Sequence, residues 1–300
     1  MDISFSVTQA VVGLSYGMFL FILGIGLSLE LGIAHVLNFA HGSFYMLSAY
    51  ITYTLVTRLG NSPGAFWIAL IAAPIVVVLI AIGIEVSLFR RFYAREMFYS
   101  LLFTYALVLI ISDIQKMIWG TQNLIIHMPT VLRGSVRIFN FEFSVYYLFV
   151  ICVGPILFLI LWFLLNRTKM GRYLRAASVD REMLSALGVD TQQLYTFTFA
   201  IGCALAGIAG VIGAGMSEAN PGMAMEVIMP CFIVVIIGGM GSLGGTLVAS
   251  IIIGLIESFG ILFFPKFAMI LNYILMAVIL IVRPWGLLGR PEIYPAATEQ

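Results

Sequence analysis

Charge is the scarcest property of this sequence: Asp, Glu, Lys and Arg make up 10% of its 300 residues, against 62% hydrophobic. A soluble globule of this size needs far more polar surface than that, so lipid must be the solvent for most of the chain. The first basic residue is Arg58; a cleaved export signal needs a positively charged start, so the first apolar run is expected to stay as a span. Cysteine is equally sparse. Cys152, Cys203 and Cys231 sit in apolar stretches, which excludes a disulfide framework and paired metal-ligand spacing and leaves them as small buried hydrophobes. A net charge of +1 with no basic tract interleaved with aromatics gives nucleic acid nothing to bind. A phosphate-cradling G-x-x-x-x-G-K-[ST] string is also missing, so any ATP hydrolysis belongs to a separate protein.

Long apolar runs are abundant. A β-barrel alternates in short segments, whereas 143–165 runs unbroken, so the fold class is all-α and polytopic, with about eight or nine membrane segments in one domain over 1–300. Spans are expected at 7–31, 44–56, 65–88, 101–119, 143–165, 195–215, 227–237, 246–264 and 268–282. Arg90, Arg91 and Arg95 follow the third span, and Arg167, Lys169, Arg172, Arg175 and Arg181 follow the fifth. The positive-inside rule makes those connections cytoplasmic. With nine spans the amino terminus then lies outside, and the tail with Arg283 and Arg290 lies inside.

Two spans are too short. At about 1.5 Å per residue, 44–56 and 227–237 cover only about 20 and 17 Å of a core roughly 30 Å thick. Each borders an interruption: residues 32–42 carry His35, Asn38 and His41, and residues 238–245 read GGMGSLGG. Irregular backbone at membrane depth requires protein or a water-filled cavity around it, and paired interruptions mark a substrate path and permit an inverted repeat. Asn38, His41, Gly238, Gly239, Gly241 and Ser242 are therefore candidates for that path. The glycine run has a second reading, close contact between helices. His35 and His41, six apart, do not share a helical face, which disfavours a metal site; His41 is expected to hydrogen-bond backbone freed by the break. Glu257, inside an apolar span with no partner nearby in sequence, is a further candidate for lining a cavity. Asp113 and Lys116, three apart, neutralise one another on one helical face. For Glu30 the solvated and interhelical readings stand equal.

The longest hydrophilic connection, 167–193, reads RTKMGRYLRAASVDREMLSALGVDTQQ. A short helix is expected over 181–187, with Asp180 as N-cap, Val179 and Leu184 as a hydrophobic staple and Gly188 at the left-handed C-terminal position. So short a helix is unstable alone and needs a surface, either lipid headgroups or a protein.

The strings GRYLRAASVDREMLSALGVD, NFAHGSFYMLSAY at 38–50 and GGMGSLGG, in that spacing from about residue 13 to 288, resemble the LivH-type permeases of branched-chain amino acid ABC importers. The resemblance implies an inner-membrane transport subunit with no cofactor and no covalent chemistry of its own. It also implies a second, related permease, two ATPase subunits and a periplasmic or lipid-anchored solute-binding protein as partners. The loop would be the coupling element, with Gly171, Arg172, Arg175, Ala186 and Gly188 as coupling positions and Leu184 and Leu187 seated in an ATPase groove. Rival readings are an ion-coupled secondary transporter using Glu257, an intramembrane enzyme built on the histidines, and a permease of the same kind for urea, amides or small aromatic acids.

Overall fold

The computed structural model of the chain describes residues 3–34, 36–60, 62–92, 97–138 and 141–289; His35, Arg95 and Arg290 lie outside them. Among the described residues the helices are α1 (Ile3–Leu29), α2 (Ala40–Arg58), α3 (Ala65–Ser87), α4 (Met97–Trp119), α5 (Val145–Arg167), α6 (Lys169–Ala177), α7 (Arg181–Ala186), α8 (Thr191–Met216), α9 (Met223–Gly238), α10 (Leu243–Phe263) and α11 (Ala268–Val282). Six of them, α1, α3, α4, α5, α8 and α10, are long and apolar enough by themselves to cross a bilayer. Packed among them, α2, α9 and α11 complete a bundle whose elements coincide with the nine apolar runs. His41, Ser43, Ser48 and Thr52 dilute the apolar character of α2, yet all four are buried inside the bundle. Ser48 donates to the Gly207 carbonyl of α8 at 2.7 Å.

Two helices form the centre. Of the α1 and α8 spans, 72% is buried, against 28% for α4 and 22% for α5, which places the first pair in the core and the second at the lipid rim. A helix hydrophobic all round is stable only when surrounded, and these two are surrounded by protein. Small residues let their backbones approach their neighbours. A methyl group on Gly17 would lie 2.7 Å from the Ser250 carbonyl of α10, and one on Gly207 would lie 2.7 Å from Pro74 of α3.

The contacts repeat. As α1 lies along α10, α8 lies along α3; α2 packs on α3 and α4 as α9 packs on α10 and α11; α1 meets α8, and α2 meets α9. Helices α1 to α4 and α8 to α11 are thus two halves of one pattern. Since α1 runs toward the arginine-rich end and α8 away from it, the halves are inverted, the arrangement that the paired interruptions permit.

At the arginine-rich end the 167–193 connection holds two helices where one was expected. The Thr168 side chain accepts from the Gly171 amide and starts α6; Gly171, Leu174 and Ala177 face inward while Arg172 and Tyr173 face outward. At the opposite end, strands β1 (Ser135–Ile138) and β2 (Phe141–Ser144) pair antiparallel, with Ser135 opposite Ser144. An isolated bridge there ties Leu124 to Ala219.

Candidate functional site

The first interruption is a π-helical turn, Glu30–Ala34, that ends α1, and the second is the glycine run between α9 and α10. The two meet: a methyl on Gly32 would overlap the Gly241 Cα, and Ser28 Oγ accepts from the Gly241 amide at 3.1 Å. Within the run each residue has a separate task. Gly238 packs on Gly245, where an added Cβ would sit 2.6 Å from the Gly245 carbonyl carbon. Gly239 and Gly241 adopt φ of 97° and 77°, open to glycine at little cost. Ser242 caps α10 by accepting from the Gly245 amide at 3.1 Å. Close packing therefore accounts for Gly238 and Gly239, while Gly241 and Ser242 line a cleft of about 300 Å³ together with Gly32, Asn166, Arg175 and Met240.

His41 and Asn38 lie one layer deeper and are buried. The His41 Nε2 bonds the Leu23 carbonyl of α1 at 3.0 Å, a backbone bond but not the one expected, because Leu23 lies within the regular part of α1 and its carbonyl is not freed by the break. Asn38 donates to Glu30 Oε2 at 2.8 Å, and Glu30 Oε1 faces His41 Nδ1 at 3.4 Å. Of the two readings of Glu30, the interhelical one is correct. The clustering of these three residues was missed because a π turn and a helix break separate Glu30 from His41, and neither helical nor strand periodicity bridges such a gap.

Glu257 is not brought to this place. It accepts a short hydrogen bond from Asn272 of α11, and the fifteen residues from Ser242 put it about 22 Å along α10 from the glycine run. Asn272 lies one loop away in sequence, and this pairing satisfies the acid between two helices. Asp113 and Lys116 pair at 3.1 Å as expected.

In the hydrophilic connection the capping reading holds: Asp180 accepts from the Met183 amide at 2.9 Å, and Gly188 has φ 82°. The staple does not form, because Val179 is 78% exposed while Leu184 is buried. Leu184 turns toward its own chain, where α7 touches α6 and α8, so it anchors the helix and is not available to a partner's groove. Leu187 is 73% and Met183 59% exposed; four apart along α7, they form an apolar pair facing outward, and Val179 is exposed in the turn before the helix. Ala186 and Arg172 are also exposed, and Gly171 is buried in the tight α5–α6 turn, where a Cβ would meet the Leu164 and Leu165 carbonyls. Arg175 reaches back to cap α5, donating to the Leu165 carbonyl and, at 3.3 Å, to Asn166 Oδ1. Its guanidinium closes a turn and borders the cleft.

A second tie at this end was not legible in the sequence. Buried Glu85 of α3 accepts from Thr196 of α8 at 2.9 Å and pairs with Arg90 at 3.4 Å; Arg90 also donates to Thr196 at 2.9 Å. The start of α8, which follows α7 directly, is thereby fastened to α3 and to the turn after it.

Residues 9–282 match the family described as the branched-chain amino acid transport system, permease component. The chain is 29% identical over 300 residues to the high-affinity branched-chain amino acid transport system permease protein BraD of Pseudomonas aeruginosa, covering 95% of this chain and 96% of that one. It is 26% identical to LivH of Escherichia coli, with 94% of each chain covered. It is also 28% identical to the probable permease protein LivH of Methanocaldococcus jannaschii, covering 91% and 90%. No solved structure matches it.

Proposed function

Because this chain belongs to that permease family and is a multi-pass membrane protein, we propose that it carries branched-chain amino acids across the cytoplasmic membrane as one permease of an ATP-driven importer. The arginine-rich end faces the cytoplasm. ATPase subunits dock there on α6 and α7, a second, related permease stands alongside, and a solute-binding protein delivers from the opposite side. The relatives named above support the solute class; the observation that carries the mechanism is the exposure of Met183 and Leu187 on the outer face of α7, with Val179 exposed just before it. Three large apolar side chains projecting from a water-facing loop have an energetic reason to seek a protein groove. Leu184 holds α7 to the bundle, and the Glu85–Arg90–Thr196 tie sits where a push on α7 would reach α3 and α8 together.

In this reading the cleft beneath Gly32 and Gly241 is the inner end of the path. Asn38 and His41 shape the break behind it, and Gly241 and Ser242 form its wall. Motion is rigid-body shifting of the two inverted halves, biased by ATPase closure. Purification of the tagged chain in mild detergent from cells expressing its neighbouring transport genes tests the assembly. ATPase activity should elute with the chain, together with a second permease. A chain that elutes alone, and whose uptake follows an ion gradient without ATP, would establish the secondary transporter instead.

A further inference from the structure

Buried among α1, α2 and α8, the Glu30–His41 contact has a property that follows from hydrogen-bond direction alone. A backbone carbonyl only accepts, so the His41 Nε2 that meets Leu23 O at 3.0 Å must carry hydrogen. The other ring nitrogen, Nδ1, is then a bare lone pair if the imidazole is neutral. It faces Glu30 Oε1 at 3.4 Å, and neither atom has another hydrogen-bond partner among the described residues. Glu30 Oε2 is already an acceptor, taking the Asn38 amide hydrogen. With Glu30 ionised and His41 neutral, two lone pairs would confront each other in a site where Glu30 is 2% and His41 0% exposed. At 3.4 Å the two atoms stand too close for a water between them, and among the described residues no countercharge separates them. Such an arrangement is strongly unfavourable.

We infer that Glu30 and His41 hold one proton between them, and that this shared proton is what clasps the π turn of α1 to the first turn of α2. Whether written as carboxylic acid with imidazole or as carboxylate with imidazolium, the pair has zero net charge and a filled hydrogen bond. Among the described residues nothing else on the surrounding elements supplies the missing positive charge. From α8 the groups near Glu30 are Cys203, Tyr195 and Thr198, and from α9 Cys231. On α6, Arg175 is engaged on α5. Among the described residues, His41 alone forms an ion pair with Glu30. A cavity of about 10 Å³ beside Glu30, lined also by Thr198, Tyr195 and Phe89, has room for about one water. It lies on the side of the arginine-rich connection, where the proton would leave when the break opens.

The inference makes the closed packing of the break depend on a proton, with a definite sign: the clasp is complete at lower pH and is lost as pH rises and the proton leaves. Glu30→Gln separates proton from charge. A glutamine can donate its NH₂ to His41 Nδ1 and accept from Asn38 with its oxygen, copying the protonated clasp permanently. The test is the thermal-unfolding midpoint of the purified full chain in detergent between pH 6 and 10, for wild type, Glu30→Gln and Glu30→Ala. The readout needs no transport, so it stands or falls separately from the proposed function. Wild type and the Gln variant should unfold together at pH 6. At higher pH the wild type should fall below the Gln variant by about 3 °C per pH unit over the range in which the folded pair still holds a proton that the unfolded chain has released, and level off once the folded pair loses it too. The Ala variant should be lower than both at pH 6. If the Gln variant is as unstable as the Ala variant at pH 6, the carboxylate charge and not the proton holds the break, and the inference is wrong. Parallel curves for wild type and Gln up to pH 10 would overturn it as well.

Discussion

Replacing Met183 and Leu187 by serine removes the outward apolar pair of α7 while leaving its anchor, Leu184, and the preceding Val179 in place. Full burial of a Leu or Met side chain is worth about 1.5–3 kcal/mol. Met183 and Leu187 are 59% and 73% exposed in the chain alone, so docking gains roughly 1–2 kcal/mol from each. Together that is about 2–4 kcal/mol, or a ~30- to ~900-fold loss of affinity for the ATPase subunit. The fold itself should hardly change, because exposed positions without special contacts shift stability by about 0.5 kcal/mol or less. The assay is co-purification of the ATPase at matched permease expression, with solute-stimulated ATP hydrolysis in reconstituted complexes as second readout. Leu184→Ser is the contrast: its side chain is 5% exposed, so it should lower the stability of the loop by about 2 kcal/mol or more and weaken docking indirectly. Wild-type co-purification and hydrolysis in the Met183→Ser, Leu187→Ser variant would show that α7 rests on lipid headgroups and that the coupling argument fails.

Gly32→Ala should destabilise the junction of the two interruptions by about 1–3 kcal/mol, because the added methyl overlaps Gly241; a thermal midpoint equal to wild type would refute the close approach. Gly188→Ala places a side chain at φ 82° and should cost roughly 1 kcal/mol in the α7 C-terminus, read as faster amide hydrogen exchange over 181–188. A cysteine placed at Arg172, exposed on α6, should be inaccessible to an impermeant thiol reagent in intact cells and labelled in inverted vesicles; labelling from outside would reverse the topology.

Legibility in the sequence followed the physics of each feature. The spans were readable because apolar runs of membrane length admit few other structures. The expected shortness of 44–56 and 227–237 pointed to the two interruptions, which the fold joins through Gly32 and Gly241; for the first the reason was wrong, since α2 runs on at both ends to 19 residues, close to membrane length. Asp180 and Gly188 were found because capping is local in sequence and chemically specific. Which face of α7 turns inward was not readable. Val179, Leu184 and Leu187 are all apolar, and only the position of α8 decides that Leu184 is covered and the others are not. The partner of Glu257 was hidden for a related reason: Asn272 sits on the next helix, at a distance set by the α10–α11 packing. The tie of Arg175, a coupling position by resemblance, to Leu165 and Asn166 was not readable, because these acceptors lie back across a turn that the sequence does not announce. Glu30 stayed ambiguous because a π turn removes the regular spacing that would have aligned it with Asn38 and His41.

Uptake of radiolabelled leucine into proteoliposomes bears most directly on the central claim. The vesicles carry this chain with its partner permease and ATPase subunits, the binding protein is supplied outside, and ATP is enclosed. The account predicts accumulation that requires both ATP and the binding protein, is competed by isoleucine and valine, and is abolished when the Met183→Ser, Leu187→Ser variant replaces wild type. Uptake that proceeds without ATP on a proton or sodium gradient, or no leucine uptake while another solute is carried, would contradict it.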